Sequence, residues 1–171
     1  MSRQLLERYL PLPFRPEIEA AARYAGIPAW LLAGVVRQES AWNTQARSSA
    51  GAVGLAQLLP GVERDVADQM PPGTTTSGDL LEPARNLTVG ALLLRRASRA
   101  FGGSWEPAIA SYNAGDRRVR EVWERVNRRS GPEFVESLEI PETWDYVHRV
   151  ILLAEGYRII YWPTGGAFPW T

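Results

Sequence analysis

Apolar and polar positions alternate in blocks along this chain, and one block stands apart from the rest. Trp30-Leu31-Leu32-Ala33-Gly34-Val35-Val36 is apolar at every position, which is how a helix buried on all sides reads. The run turns polar at Arg37-Gln38-Glu39-Ser40. A loop of small residues with glycines at Gly51 and Gly54 then leads to a second apolar turn, Leu55 to Leu59.

Elsewhere the apolar positions recur at helical spacing. Residues 1–9 are compatible with a short helix, and Pro11, Pro13 and Pro16 impose an extended lead-in. Pro16 to Ala25 sets Ile18, Ala21, Ala22 and Ala25 on one face and is closed by Gly26, after which Pro28 suits a first helical position. Pro60 to Met70 predicts a helix with Val62, Val66 and Met70 at four-residue spacing, and residues 71–78 read as loop. Asp79 to Phe101 predicts the longest helix, starting properly near Pro83 and ended by Gly102-Gly103. Ser104 caps the next, which stops at Asn113-Ala114-Gly115 with Tyr112 in its last turn. Helices over Asp116–Arg129, Pro132–Leu138 and Pro141–Tyr161 follow. No segment sustains two-residue alternation, so the fold class is mainly α. The expected organisation is a lead-in over residues 1–15, one domain over 16–162 and an irregular tail over 163–171.

Composition narrows the chemistry. A chain of 171 residues, 45% hydrophobic, can bury one real core. Its formal net charge is zero, so bulk attraction to nucleic acid or anionic lipid is not expected. All 19 basic side chains are arginine, which excludes a lysine Schiff base or lysine nucleophile. Cysteine is absent, excluding thiol nucleophiles, disulfides and zinc–thiolate sites; the single histidine, His148, excludes a multi-histidine metal site within one chain. No calcium-loop pattern occurs, and neither metal nor cofactor is expected. The longest apolar run, residues 29–36, is far short of the ~20 residues of a membrane span, and no charged-then-apolar leader opens the chain.

Within these bounds Glu39 carries the candidate chemistry. A carboxylate at a helix C-terminus meets partial negative charge, and apolar surroundings also disfavour its charged form, so both effects raise its pKa. A Glu held protonated near neutral pH can act as a general acid. The alternative is a Glu frayed into solvent at a helix end, since most glutamates are exposed.

Three motifs in order resemble the soluble lytic transglycosylases, peptidoglycan-cleaving enzymes of lysozyme-like fold. They are Glu39-Ser40-Ala41-Trp42-Asn43 with Ser48 and Gly51 to Pro60; Ala110-Ser111-Tyr112-Asn113-Ala114-Gly115; and Ile140-Pro141-Glu142-Thr143-Trp144-Asp145-Tyr146-Val147. The likeness runs from about Leu10 to about Tyr161. Tyr9 to Phe14 resembles the stretch that precedes the catalytic domain, and the long helical domain that larger members place upstream is missing from this chain.

The resemblance implies a goose-type, lysozyme-like single domain with a glycan groove. It implies a monomer that takes the glycan strand of peptidoglycan without a cofactor, in the cell envelope, periplasm or extracellular space. It also implies Glu39 as the acid and then the base, and Tyr112 as the tyrosine whose hydroxyl faces it. Ser48 would bond the acetamido group, Gln57 and Leu59 would line the groove, and Glu142 would meet the stem peptide. Each has a plainer reading: Ser48 as a loop-closing hydroxyl, Tyr112 as a core aromatic with a wet end, Gln57 as a solvated side chain, and Glu142 as a helix-start acid. Two residues depart from the family pattern, Trp144 where Arg is commoner and Ala56 where Met is usual.

Glycosidases ordinarily use two carboxylates, and only Glu39 has a convincing setting; Glu63, Asp65, Asp79 and Glu82 fall on expected surfaces. Trp30 and Trp123 fall on apolar stripes and are expected in the core, while Trp42 and Trp105 are expected to border the groove. The Arg117–Arg129 helix reads as solvated, with pairs Arg117–Glu121, Glu121–Arg125 and Glu124–Arg128 at four-residue spacing. His148 is expected to be structural. The rival functions are a water-using muramidase of the same fold and a non-catalytic glycan-binding or assembly module.

Overall fold

The all-apolar run forms the centre of the molecule. In the computed structural model, which describes residues 3–72 and 78–164, it becomes helix α3, Ala29–Ser40, and every residue from Trp30 to Val36 is buried. Burial on all faces demands neighbours on all faces. Helix α8, Pro141–Tyr161, is the principal partner of α3, and α2, Arg15–Ala25, packs on another side. α3 and α8 cross backbone to backbone at Gly34, where an added Cβ would lie 2.8 Å from the Ala154 amide nitrogen.

The predicted ends of α2 hold. Gly26 turns left-handed (φ 70°) and its N–H reaches the Ala22 and Arg23 carbonyls. Pro28 sits one position earlier than expected, as the extended residue before α3, and Ala29 opens the helix. Helix α1 spans Arg3–Tyr9.

Helix α4, Pro83–Ala100, begins where Pro83 suggests. Glu82, expected to be an idle surface acid, caps it by accepting the Ala84 and Arg85 amides at 3.0 and 2.6 Å. Helix α5, Trp105–Ala114, follows. Ser104 occupies its N-cap position, but its hydroxyl makes no capping bond. The buried Glu106 instead accepts the backbone amides of Glu106, Gly131 and Trp105, and burial still holds its carboxyl above the usual range.

Several expectations need correction. Pro60–Met70 is not an α-helix: Val62–Gln69 is a 3₁₀ helix interrupted at Val66 (φ −128°), whose side chain is fully buried, and a left-handed Gly61 precedes it. The turn expected at Leu55–Leu59 is present, at residues 54–57, closed by an isolated antiparallel bridge of Val53 with Leu58, and Val53 also bridges Arg47. Helix α6 stops at Arg125, four residues early, because Asn127 and Arg128 turn left-handed (φ 54° and 61°); α7 is only Pro132–Glu136. Of the three ion pairs expected on α6, Glu124–Arg128 forms, while Arg125 turns to Glu139 at 3.1 Å. Trp42 and Trp105 are core residues, each 8% exposed, rather than groove edges. Trp30 and Trp123 are buried as expected, and Trp123 joins Phe101 and Phe134 in edge-on contacts of 5.9 Å that tie α6 and α7 to the end of α4. Part of the expected 71–78 loop and most of the expected tail, residues 73–77 and 165–171, lie outside the described residues.

Among the described residues no named strand occurs, and no helix is long and apolar enough to cross a membrane.

Candidate active site

Glu39 lies in the last turn of α3, half-buried, where the apolar helix meets the polar loop. Tyr146, reaching over from α8, donates its hydroxyl to Glu39 Oε1 at 2.5 Å. Burial raises the Glu39 carboxyl from 4.5 to about 7, and the Tyr146 bond works against that rise. No neighbouring acid contributes to the shift. The phenols of Tyr146 and Tyr112 are both held well above the usual tyrosine range, first by burial and then by the Glu39 charge, so both remain neutral hydrogen-bond donors.

The glycine loop is fastened beside this carboxyl by one side chain from α4. Asn86 is fully buried; its Oδ1 accepts the Ala56 amide at 2.7 Å and its Nδ2 donates to the Val53 and Leu80 carbonyls at 3.1 and 2.7 Å. Gly54 makes this possible: its φ is 77°, and a Cβ there would lie 2.3 Å from Asn86 Nδ2. Gln57 (φ 48°) donates from Nε2 to the Ala46 and Gly54 carbonyls at 3.2 and 3.0 Å. Both amide hydrogens are thereby used, and its Oε1 remains as an acceptor. Ser48 is exposed and its hydroxyl oxygen accepts the Ala52 amide at 3.0 Å, closing the loop and leaving its own proton to donate.

Tyr112 connects loop to cleft. Its hydroxyl donates to the Ala56 carbonyl at 2.9 Å, so it is the Glu39 charge, not a bond to Glu39, that links the two. Tyr112 also lines a cleft of about 340 Å³ together with Gln57 and Leu59, the latter 46% exposed; Asp65 and Arg96, paired at 3.2 Å, stand in the same wall. Glu39, Ser48 and Glu142 are outside that wall. Glu142 is exposed in the first turn of α8, and the adjoining Thr143 donates to Asn113 Oδ1 at 2.7 Å, which pins this turn beside the end of α5 that carries Tyr112.

Two residues of the site escaped the sequence reading. Tyr146 stands four positions after Glu142 inside the third motif, so the segment was recognised and its most consequential member was not. Asn86 gave only a weak signal, a polar residue beside Leu87 on the apolar stripe of α4. His148, expected to be structural, stacks on Trp144 with ring centroids 3.8 Å apart, and its Nδ1 donates to the Trp144 carbonyl at 2.8 Å. Among the described residues no group of His, Cys, Asp and Glu could hold a metal ion.

Comparison with known proteins gives the family. The Transglycosylase SLT domain family matches residues 16–135. The soluble lytic murein transglycosylase of Escherichia coli is 34% identical over 156 residues, covering 90% of this chain and 24% of that protein. The crystal structure of the 70 kDa soluble lytic transglycosylase from Escherichia coli superposes with a TM-score of 0.79 at 34% identity, over 90% of this chain and 25% of that one. An inactive glutamate-to-glutamine mutant of lytic transglycosylase Slt from Pseudomonas aeruginosa superposes with a TM-score of 0.77 at 29% identity, again over 90% and 25% of the two chains. This chain thus spans about a quarter of the length of these relatives. With the three motifs folded onto one end of a buried helix and the match extending over most of the chain, the protein belongs to the Transglycosylase SLT domain family.

Proposed function

We propose that residues 16–162 form a lytic transglycosylase domain that cuts the glycan strand of peptidoglycan between N-acetylmuramic acid and N-acetylglucosamine without water. Glu39, protonated, gives its proton to the linking oxygen as the glycosidic bond breaks. The acetamido oxygen of the muramic acid stabilises the positive anomeric carbon, and Ser48 holds that acetamido group through its free O–H. The Glu39 carboxylate then takes the proton of the same sugar's C6 hydroxyl, whose oxygen bonds to the anomeric carbon and closes a 1,6-anhydro ring. Attack from within the same sugar brings a high effective molarity, worth up to roughly 7–11 kcal/mol in favourable cases.

The observation that carries this reading is the Glu39 carboxyl itself, raised to about 7 by burial and not by a second acid, with Tyr146 bonded to it. A pKa of that size lets one group serve as acid and base in turn near neutral pH. In this scheme Tyr146 and Tyr112 orient the reacting groups. Gln57 Oε1 and the exposed Leu59 side chain line the sugar path, and Glu142 faces the stem peptide at the start of α8. A place in the cell envelope follows from the substrate.

Mass spectrometry of cell wall digested by the protein tests the proposal. Fragments ending in 1,6-anhydro-muramic acid are expected; reducing ends alone would establish a water-using muramidase instead. Glu39→Gln is expected to lose at least about a hundredfold in activity while still binding glycan. A variant that kept its full function would make the domain a binding module.

A further inference from the structure

The backbone immediately after Glu39 is unusual. Ala41 and Trp42 both take positive φ, 49° and 72°. Residues with side chains rarely adopt this conformation, and it persists where the surroundings impose it. Ala41 closes α3 by donating its N–H to the Arg37 carbonyl at 3.1 Å. What holds Trp42 comes from the two ends of the described chain. Its indole Nε1 donates to the Tyr157 hydroxyl at 3.1 Å, and that hydroxyl donates in turn to the Pro11 carbonyl, also at 3.1 Å.

The three partners are packed as well as bonded. Tyr157 is fully buried and meets Trp42 edge-on with centroids 5.9 Å apart, while Phe14 covers Trp42 at 6.4 Å. The lead-in lies tight on α8 at Gly156, where a Cβ would come 2.6 Å from Leu10 Cδ1. Burial pushes the Tyr157 phenol up to about 12, so the hydroxyl that links Trp42 to Pro11 stays intact throughout neutral pH.

We infer that Trp42 and Tyr157 are positioning residues: with the Pro11 carbonyl they form a strut that fixes the left-handed turn behind Glu39 and so sets where its carboxyl stands and how dry it is. This deepens the reading of Glu39 as the acid and base, and rests on it. Without the strut the turn relaxes, the last turn of α3 loosens, and water reaches the carboxyl. The lead-in is then a working part of the site, because its Pro11 carbonyl anchors the far end of the strut.

Tyr157→Phe isolates the effect, since it keeps the ring and loses both hydrogen bonds. Assayed in the full chain on purified peptidoglycan, it is expected to lower kcat about tenfold with KM within about twofold. The alkaline limb of its rate profile should move to lower pH as Glu39 hydrates. Trp42→Phe should do the same, and the double variant should lose no more than either single one. Trp123→Phe, remote from the strut, serves as the stability control: its Tm should fall while the alkaline limb stays in place. The strut is overturned by a Tyr157→Phe enzyme with wild-type kcat and pH profile, by additive losses in the double variant, or by a Trp123→Phe enzyme that reproduces the shifted limb. A wild-type enzyme that releases no anhydro ends overturns the acid–base reading and the strut together, whereas wild-type anhydro ends beside an unaltered Tyr157→Phe overturn the strut alone.

Discussion

Tyr146 and Glu39 come from helices 107 positions apart in sequence and meet through a hydroxyl-to-carboxylate bond of 2.5 Å. That bond opposes the burial which raises the Glu39 carboxyl to about 7. Removing it in Tyr146→Phe should therefore raise the pKa further and move the alkaline limb of kcat/KM to higher pH. The rate at the optimum should fall about tenfold or more, since a hydrogen bond to a charged group contributes ~1.5–3 kcal/mol. A pH–rate profile of the two enzymes checks both. A limb that moved down instead would mean that Tyr146 mainly keeps water out.

The same carboxyl makes stability depend on pH with a definite sign. The unfolded Glu39 ionises near 4.5, whereas the folded one holds its proton until about 7. Between these values the unfolded chain binds fewer protons, so folding stability falls as pH rises through that window and is flat beyond it. The full effect of that shift is on the order of 3 kcal/mol. Glu39→Gln should thus match the wild type in stability near pH 4 and exceed it above about pH 7. Thermal unfolding across pH measures the difference, and an equal gap at both ends would contradict the assignment.

How far all this is legible in the sequence depends on range. Trp30 to Val36 announces a buried helix because every face is apolar, and Gly26 and Pro83 mark helix ends through local backbone chemistry. The three motifs point to Glu39, Ser48 and Tyr112 as residue types. What the sequence does not disclose is which partner a polar atom finds across the fold. Tyr112 bonds the Ala56 carbonyl and Tyr146 takes Glu39, a division that depends on how α5 and α8 lie against α3. Trp42 misled for a related reason: it follows a polar turn, as a groove residue would, yet Tyr157 and Phe14 enclose it. The helix expected at Pro60–Met70 forms as a broken 3₁₀ helix, because four-residue spacing of Val62, Val66 and Met70 says nothing about the break at Val66.

Asn86 holds the glycine loop at Ala56 and Val53 and also bonds the Leu80 carbonyl, so its loss should be felt at a distance. Asn86→Ala leaves the Ala56 N–H and the Val53 and Leu80 carbonyls without this partner. The Val53 carbonyl keeps the Leu58 amide at 3.0 Å, so two groups are stranded, and at ~1–3 kcal/mol for each at least about 2 kcal/mol of stability should go. Urea denaturation measures the cost. Hydrogen exchange should also locate the loosening in residues 46–58, where Ser48 and Gln57 reside. A uniform rise in exchange across all helices would instead assign Asn86 to the global core.

Gly90 allows stability and positioning to be separated. A Cβ added there would lie 2.8 Å from Ala56 Cβ and 3.3 Å from the Tyr112 hydroxyl. The first contact forces the loop away from α4, a form of overpacking that costs about 1–3 kcal/mol. The second displaces the Tyr112 hydroxyl by tenths of an ångström from the Ala56 carbonyl it bonds. Gly90→Ala should therefore lower both Tm and kcat, the latter by about three- to tenfold. Adding Ala56→Gly removes the methyl group on the opposite side of the first clash and leaves the second in place. The double variant should recover most of the lost Tm while its kcat stays low, and thermal unfolding with steady-state kinetics on the same preparations distinguishes the two. Full recovery of kcat along with Tm would show that the position of the Tyr112 hydroxyl does not control the rate, and that Gly90 matters only for packing.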